Sequence, residues 1–342
     1  MARTITFQTA INEALAQEMA RDPRVVVFGE DNVGGSGAPG EIDAWRPFVL
    51  GVTKGLHGQF PDRILDTPIS ESAFIGAAMG AAASGLRPVA ELMFVDFMGV
   101  CFDQIFNQGA KFRYMFGGRA TTPVVIRTMF GAGIGAAAQH SQALYPLFTH
   151  IPGLKVAIPS NPYDAKGLLI QAIRDDDPVI FFENKVMYST EGDVPEEAYV
   201  VPFGEAAWVR EGDDVTVVAI GRMVSMAEQA ANELAGDGIE CTILDPRTTS
   251  PLDEDSIYES VETTGRLVVV DESNPRCSMA SDIVALVAQN CFGALKAPPR
   301  MVTAPHTPTP FSAVLETAYV PSADRVASAV REVVGGEVGA RA

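Results

Sequence analysis

One carboxylate placed at the head of a long apolar run constrains this chain more than any other feature. Glu71 closes the hexapeptide Asp66-Thr67-Pro68-Ile69-Ser70-Glu71, and the residues that follow, Ser72-Ala73-Phe74-Ile75-Gly76-Ala77-Ala78-Met79-Gly80-Ala81-Ala82-Ala83-Ser84-Gly85, are small and apolar. Pro68 and Ser70 read as a turn leading into a helix start, and the Gly/Ala content lets the helix pack very close to its neighbours. The pattern predicts Glu71 in the first turn of a buried helix. There the helix dipole favours the charged carboxyl and desolvation favours the proton, so the group can share a proton with a basic partner. The plainer alternative is that Glu71 only caps the helix.

At 342 residues the chain suits two domains and has room for a large doubly wound sheet. A composition of 47% hydrophobic and 20% charged residues with 31 glycines is that of a well-buried globular protein. A formal net charge of −18 argues against nucleic acid or an anionic membrane as partner and leaves a basic protein as the natural complement. Cys101, Cys241, Cys277 and Cys291 show no CxxC spacing and read as core thiols in a reducing compartment. Met1 to Phe7 lacks the apolar run of a signal peptide, and no stretch is long enough to span a bilayer. The expected location is cytoplasmic.

The first half alternates helical and strand patterns, predicting a mainly parallel sheet covered on both faces. Ala10 to Ala20 reads as an amphipathic helix, Val25 to Glu30 as a buried strand ending on a carboxylate, and Pro88 to Phe94 as a strand. A long helix is expected from about Phe97 to Met115, then a strand Pro123 to Arg127 that empties into the Gly/Ala loop before Gln139-His140-Ser141-Gln142. Gly34 to Gly40 lacks both a P-loop lysine and a dinucleotide fingerprint and reads as a mobile surface loop. Glu30, Phe94, Phe97 and His140 fall at strand ends, where open α/β sheets bind ligands. The acidic, irregular stretch 191–204 is the linker candidate between a domain at 1–190 and one at 205–335. The second shows repeating strands and helices with few polar groups on its strands, so it reads as scaffold or docking surface rather than catalytic machinery.

Of the four histidines, His140 sits on a loop where backbone can approach a ligand and an imidazole can titrate near neutral pH, or it is held by backbone hydrogen bonds. His150 and His306 look structural. No GxSxG elbow supports Ser141 or Ser70 as a nucleophile, and Asp66, Glu71, Asp96 and His140 show none of the helical spacings of a metal site.

Asp66 to Glu71, the Ala/Gly helix, Gly85-Leu86-Arg87-Pro88, Gln139 to Gln142, Pro152-Gly153-Leu154-Lys155-Val156 and Asp164 to Leu168 together resemble the beta subunits of thiamine diphosphate-dependent 2-oxo acid dehydrogenases, over essentially the whole chain. Gly37 to Glu41, Ala110 to Gly118 and Asp271 to Ala280 are similar to the acetoin dehydrogenase branch. The resemblance implies an α/β chain of two doubly wound domains, a transketolase-like pyrimidine-binding domain and a transketolase C-terminal-like domain. It further implies an alpha2-beta2 heterotetramer with an alpha subunit that supplies the diphosphate and magnesium site, and transfer of acetyl to the lipoyl group of an acyltransferase core. The small-molecule substrate is acetoin on this branch, pyruvate or branched-chain 2-oxo acids on the others. A single-chain transketolase-type enzyme lacks room for a diphosphate-binding domain, and a non-catalytic docking scaffold is the rival from another class.

Carried over by position, Glu71 matches the glutamate that bonds the aminopyrimidine ring nitrogen and shares a proton with it. Met93 and Phe97 match residues against the pyrimidine ring, Glu30 a second carboxylate near the cofactor, and His140 a histidine that orients substrate or the incoming lipoyl group. Val124, Ala172, Asp175 and Asp177 match positions that bind a monovalent cation such as potassium in some relatives, largely through backbone oxygens. Asp177 stands where some relatives have Asn, and the same segment also reads as a solvated helix end and turn.

Overall fold

The computed structural model describes residues 2–33 and 51–335 and divides the chain into two compact units, one of 1–130 with 147–203 and one of 131–146 with 204–342. The Gly34 to Gly40 loop and the Gly37 to Glu41 match lie outside the described residues.

The first unit is built on six parallel strands in the order Lys155–Ala157, Val179–Asn184, Val125–Phe130, Arg87–Phe94, Val25–Gly29, Ile64–Asp66. Every residue of Val125–Phe130 and Val179–Asn184 is buried, as a parallel strand covered on both faces requires. On one face, helix Phe7–Arg21 packs against helix Pro162–Arg174. Phe7, Ile11, Leu15 and Met19 recur at four-residue spacing and carry that contact into the core. Each helix has a side-chain cap: Thr6 Oγ1 accepts from the Thr9 amide at 3.2 Å and Asn161 Oδ1 from the Asp164 amide at 2.8 Å.

Helix Glu71–Ala83 buries Phe74, Ile75, Ala78, Met79 and Ala82, while Ser72, Ala73, Ala77, Gly80 and Ala83 face out. The buried helix expected from its sequence is therefore buried along one face of this chain, and the other is a strip of small residues. The close packing is real. A Cβ on Gly109 would lie 2.8 Å from Met79 Sδ, one on Gly76 would lie 3.3 Å from Gln104 Oε1, and Ser72 Oγ donates to the Val100 carbonyl at 2.5 Å.

The single long helix expected from Phe97 to Met115 is three short pieces: a 3₁₀ turn Val95–Gly99, a π-helical stretch Gln104–Gly109 and an α-helix Ala110–Met115. The π-helical stretch packs against the Glu71 helix. Phe102 is held between the Phe106 ring, stacked at 5.5 Å, and the Phe148 ring, edge-on at 5.9 Å. Glu191–Pro195, inside the stretch read as a linker, is a strand paired antiparallel with Ala2–Thr6, in register from Ala2 opposite Pro195 to Thr6 opposite Glu191.

The second unit has five strands in the order Arg300–Thr303, Leu267–Asp271, Val215–Ala219, Cys241–Asp245, Ala207–Arg210, parallel except for the last. Helices Met223–Ala235, Glu254–Thr264, Met279–Asn290 and Ala323–Gly335 follow the central strands. Cys101, Cys241 and Cys291 are buried, whereas Cys277, expected in the core, is exposed. Among the described residues no helix is long and apolar enough to cross a membrane.

Candidate active site

Two hydrogen bonds tie the Asp66 to Glu71 segment to the end of the strand that delivers Glu30. The Thr67 amide donates to the Gly29 carbonyl at 2.9 Å, and Asp66 Oδ1 accepts from the Val33 amide at 2.7 Å. Gly29 is required there, because a Cβ would come within 2.3 Å of the Glu91 carbonyl on the neighbouring strand. Ser70 occupies the cap position but its hydroxyl turns back to the Pro68 carbonyl at 3.4 Å, so no side chain caps the helix and Glu71 stands in its open first turn.

Glu71 acts on Glu30 through its charge. Burial first, then the like charges of Glu71 and Asp31, raise the proton affinity of Glu30 above the ordinary carboxylate range. Burial, with a smaller push from Glu71, raises the Cys101 thiol to about 12, so this cysteine is an inert neighbour rather than a nucleophile. Strand Arg87–Phe94 ends in half-buried Met93 and Phe94, and the Phe97 ring meets the Phe94 ring edge-on at 6.2 Å and 84°. Lys185 Nζ lies 5.5 Å over the other member of that pair, Phe94. Glu30, Glu71, Met93 and Phe97 thus lie at or just beyond the C-terminal ends of three adjacent parallel strands, the ligand-binding edge of such sheets.

His140 belongs to the second unit, half-buried, with its amide directed to the Ala137 carbonyl at 3.4 Å. That unit does more with the loop than scaffold it. Ala132 N–H donates to Glu272 Oε1 at 2.8 Å, Gly133 and Gly135 N–H donate to the two oxygens of Glu316 at 2.7 and 2.9 Å, and the Tyr145 hydroxyl donates to Asp271. His150 and His306 are exposed on their loops, and His57 is half-buried.

In the turn expected to hold a monovalent cation, the carboxylates already have cationic partners. Lys155 Nζ donates to both oxygens of Asp175 at 2.7 Å and lies 3.5 Å from Asp177, whose other oxygen takes Arg113 Nη1 at 2.6 Å. Arg87 Nη1 donates to the Asp175 carbonyl at 2.8 Å. Val124 and Ala172 are buried, and their carbonyls accept from the amides of Val179 and Asp175. An added cation there would draw on the remaining lone pairs of backbone oxygens. Among the described residues no group of three or more His, Cys, Asp or Glu side chains could hold a metal ion, so Asp66, Glu71, Asp96 and His140 form no metal site.

A buried ion cluster behind the site was not singled out in the sequence. Arg127 grips Glu183 with Nε and Nη2 at 2.7 and 2.8 Å and Glu91 with Nη1 at 2.9 Å, and the Tyr188 hydroxyl donates to Glu183 at 2.6 Å. Burial raises the proton affinity of Glu91, and Arg127 opposes it. The available signal was a charge in the interior of each of three largely apolar strands, Glu91, Arg127 and Glu183.

The first-unit group brings together a carboxyl in an open helix turn, a second carboxyl of raised proton affinity, an aromatic face and a thioether. Comparison with known proteins places the chain in a family. Residues 3–190 match the transketolase pyrimidine binding domain and residues 204–326 the transketolase C-terminal domain. The beta subunit of the acetoin:2,6-dichlorophenolindophenol oxidoreductase of Cupriavidus necator is 66% identical over 98% of this chain and 99% of its own length. The chain belongs to the beta-subunit family of thiamine diphosphate-dependent 2-oxo acid dehydrogenases.

Within this family, the corresponding acetoin:2,6-dichlorophenolindophenol oxidoreductase subunit beta of Bacillus subtilis is 57% identical over 98% of both chains. The pyruvate dehydrogenase E1 component subunit beta of Rickettsia felis is 43% identical over 96% of this chain and 98% of its own. A solved structure described as a split-gene transketolase, inactive beta4 tetramer, superposes with a TM-score of 0.76 over 97% of this chain and 99% of that chain at 23% identity, a likeness of fold. As a beta subunit in this family, the chain is an enzyme component that functions with an alpha subunit.

Proposed function

We propose that this chain is the beta subunit of an acetoin-cleaving dehydrogenase, works in an alpha2-beta2 heterotetramer, and passes the acetyl group to the lipoyl group of an acyltransferase core. The observation that carries the reading is the Glu30 and Glu71 pair at the strand ends, where one carboxyl changes the proton affinity of the other. The higher identity to the two acetoin oxidoreductase subunits than to the pyruvate dehydrogenase subunit supports acetoin as the substrate.

Bound thiamine diphosphate supplies an electron sink that allows a carbon–carbon bond to break. Glu71 holds a proton at the pyrimidine ring nitrogen and takes it back, a task for a carboxyl in the open first turn of a helix. Glu30, beside it, keeps its own proton to higher pH and so limits the negative charge next to the ring. Phe97 and Met93 offer the ring an aromatic face and a soft thioether, and keep water from the Glu71 proton. His140 orients the substrate or the lipoyl group. The diphosphate and its magnesium are held by the alpha subunit, and the substrate-facing surface is shared with it.

The test is reconstitution with purified alpha subunit, following reduction of 2,6-dichlorophenolindophenol with acetoin, pyruvate or a branched-chain 2-oxo acid. The reading expects acetoin to be preferred and Glu71→Ala to abolish turnover while the chain stays folded. Preference for a 2-oxo acid would move the assignment to another branch. Full turnover by Glu71→Ala would remove the catalytic role of this residue, and cofactor binding by the alpha subunit alone would favour a scaffold.

A further inference from the structure

The second unit clamps its own Gly131 to Gly135 loop with buried carboxylates. From Gly131 the chain runs with positive φ at alternate positions, 91° at Gly131, 122° at Gly133 and 70° at Gly135. Such alternation turns successive amides towards one side, a concavity that ordinarily receives an anion. Here the anion comes from the chain itself. Glu316, on helix Ala313–Tyr319 and only 4% exposed, accepts the Gly133 amide on one oxygen and the Gly135 amide on the other, and Glu272, 3% exposed, accepts the amide of Ala132. At the far end of the loop, the Tyr145 hydroxyl bonds Asp271, whose second oxygen accepts from the Ala280 amide at 3.0 Å.

A carboxyl fixed by two amides two residues apart sets both the position and the tilt of the backbone between them. The next turn is strained: Ala137 has a φ of 60°, a left-handed conformation that an alanine keeps only where its surroundings leave no alternative. The carbonyl of Ala137 receives the His140 amide. The clamp, the left-handed alanine and His140 thus form one short mechanical chain.

We propose that Glu316 is a positioning residue, which fixes the Gly133 to Gly135 backbone and through it the placement of His140, so that the C-terminal domain sets the geometry of a catalytic loop. This rests on the reading of His140 as the residue that meets substrate or lipoyl.

The experiment uses the reconstituted heterotetramer with Glu316→Gln, Glu316→Asp, His140→Asn and the Glu316→Gln/His140→Asn double variant. In Glu316→Gln one oxygen becomes an amide nitrogen, which can only donate and so meets an N–H that also only donates. The expected result is a ten- to hundredfold loss of kcat for acetyl transfer, little change in cofactor affinity or thermal midpoint, an altered pH profile on the limb that His140→Asn removes, and faster hydrogen exchange at the Gly133 and Gly135 amides. Glu316→Asp keeps the charge with a shorter reach and should fall between, and it serves in place of Glu316→Gln should that variant fail to assemble. The decisive comparison is the double variant. A loss less than twofold beyond His140→Asn alone supports action through His140, because residues acting in series are not additive. The same fold loss in both backgrounds overturns it. Full activity of His140→Asn overturns the reading of His140 beneath it, a result separate from the exchange rates of the two glycine amides.

Discussion

Glu71, at the head of one helix, raises the proton affinity of Glu30, at the end of a neighbouring strand. Burial is the larger cause and the charge of Glu71 the second. Replacing Glu71 by Gln removes the charge and keeps the shape. The Glu30 carboxyl should then titrate lower but stay above its ordinary range, and activity should fall roughly a hundred- to ten-thousandfold, the usual worth of a positioned proton-transfer group. Carbon-13 labelling of the glutamates, followed through a pH titration of the variant and parent, reads the first effect directly.

The same shift has a signature in stability. Folded Glu30 binds its proton more tightly than the unfolded chain, where the ordinary value is 4.5, so the native state holds more protons in the window above that pH. Its contribution is fully present below 4.5 and is lost as pH rises through the raised value. Glu30→Gln cannot lose that proton. Denaturation midpoints measured from acid to neutral pH should fall less steeply with rising pH in this variant than in the parent.

Arg127 bridges Glu91 and Glu183, and all three side chains are buried. Arg127→Met leaves two buried carboxyls without their shared partner and should cost about 3–5 kcal/mol, read by chemical denaturation. Arg127→Lys keeps the charge but loses the fork that grips both oxygens of Glu183, so it should recover only part of the loss.

Two glycines that both sit in tight contacts should respond differently to alanine. At Gly153 the backbone φ is 100° and a Cβ would approach the Ala110 carbonyl to 2.0 Å, so neither the residue nor its rigid neighbour can give way. At Gly109 the obstacle, 2.8 Å away, is the far end of the flexible Met79 side chain. Gly153→Ala should destabilise by several kcal/mol and Gly109→Ala by about 1–3 kcal/mol, the usual range for overpacking. Thermal melts of the two variants side by side would check the order.

Lys155 serves Asp175 and Asp177 in the turn whose sequence suggested a monovalent cation. Lys155→Met should destabilise by about 1–2 kcal/mol and make the midpoint respond to potassium, since those carboxylates then lack their ammonium partner. In the parent chain, exchanging potassium for tetramethylammonium at constant ionic strength should shift the midpoint less than in the variant.

Much of this architecture is legible along the chain, for identifiable reasons. Strands Cys241–Asp245 and Leu267–Asp271 are short, mostly apolar runs that end on a carboxylate, part of the strand and helix repeat legible in the second domain. Glu71 is legible because so little around it is polar. The helix from Phe97 onward is not, since its breaks come from Met79 against Gly109 and from Phe148 against Phe102, partners that no local periodicity reveals. Arg127 finds its acids 36 and 56 residues away, which requires knowing the strand order first. The second unit reads as inert scaffold in sequence because Glu272 and Glu316 act on backbone amides, and an amide leaves no trace in the residue type that carries it.

The acceptor for Gly133 arrives 183 residues later in the chain. During translation the first unit has nearly all its strands in hand while that loop still lacks the partner that settles it. That loop therefore settles late, and a message cut short just before Glu316 would leave the Gly133 and Gly135 amides without their carboxylate acceptor.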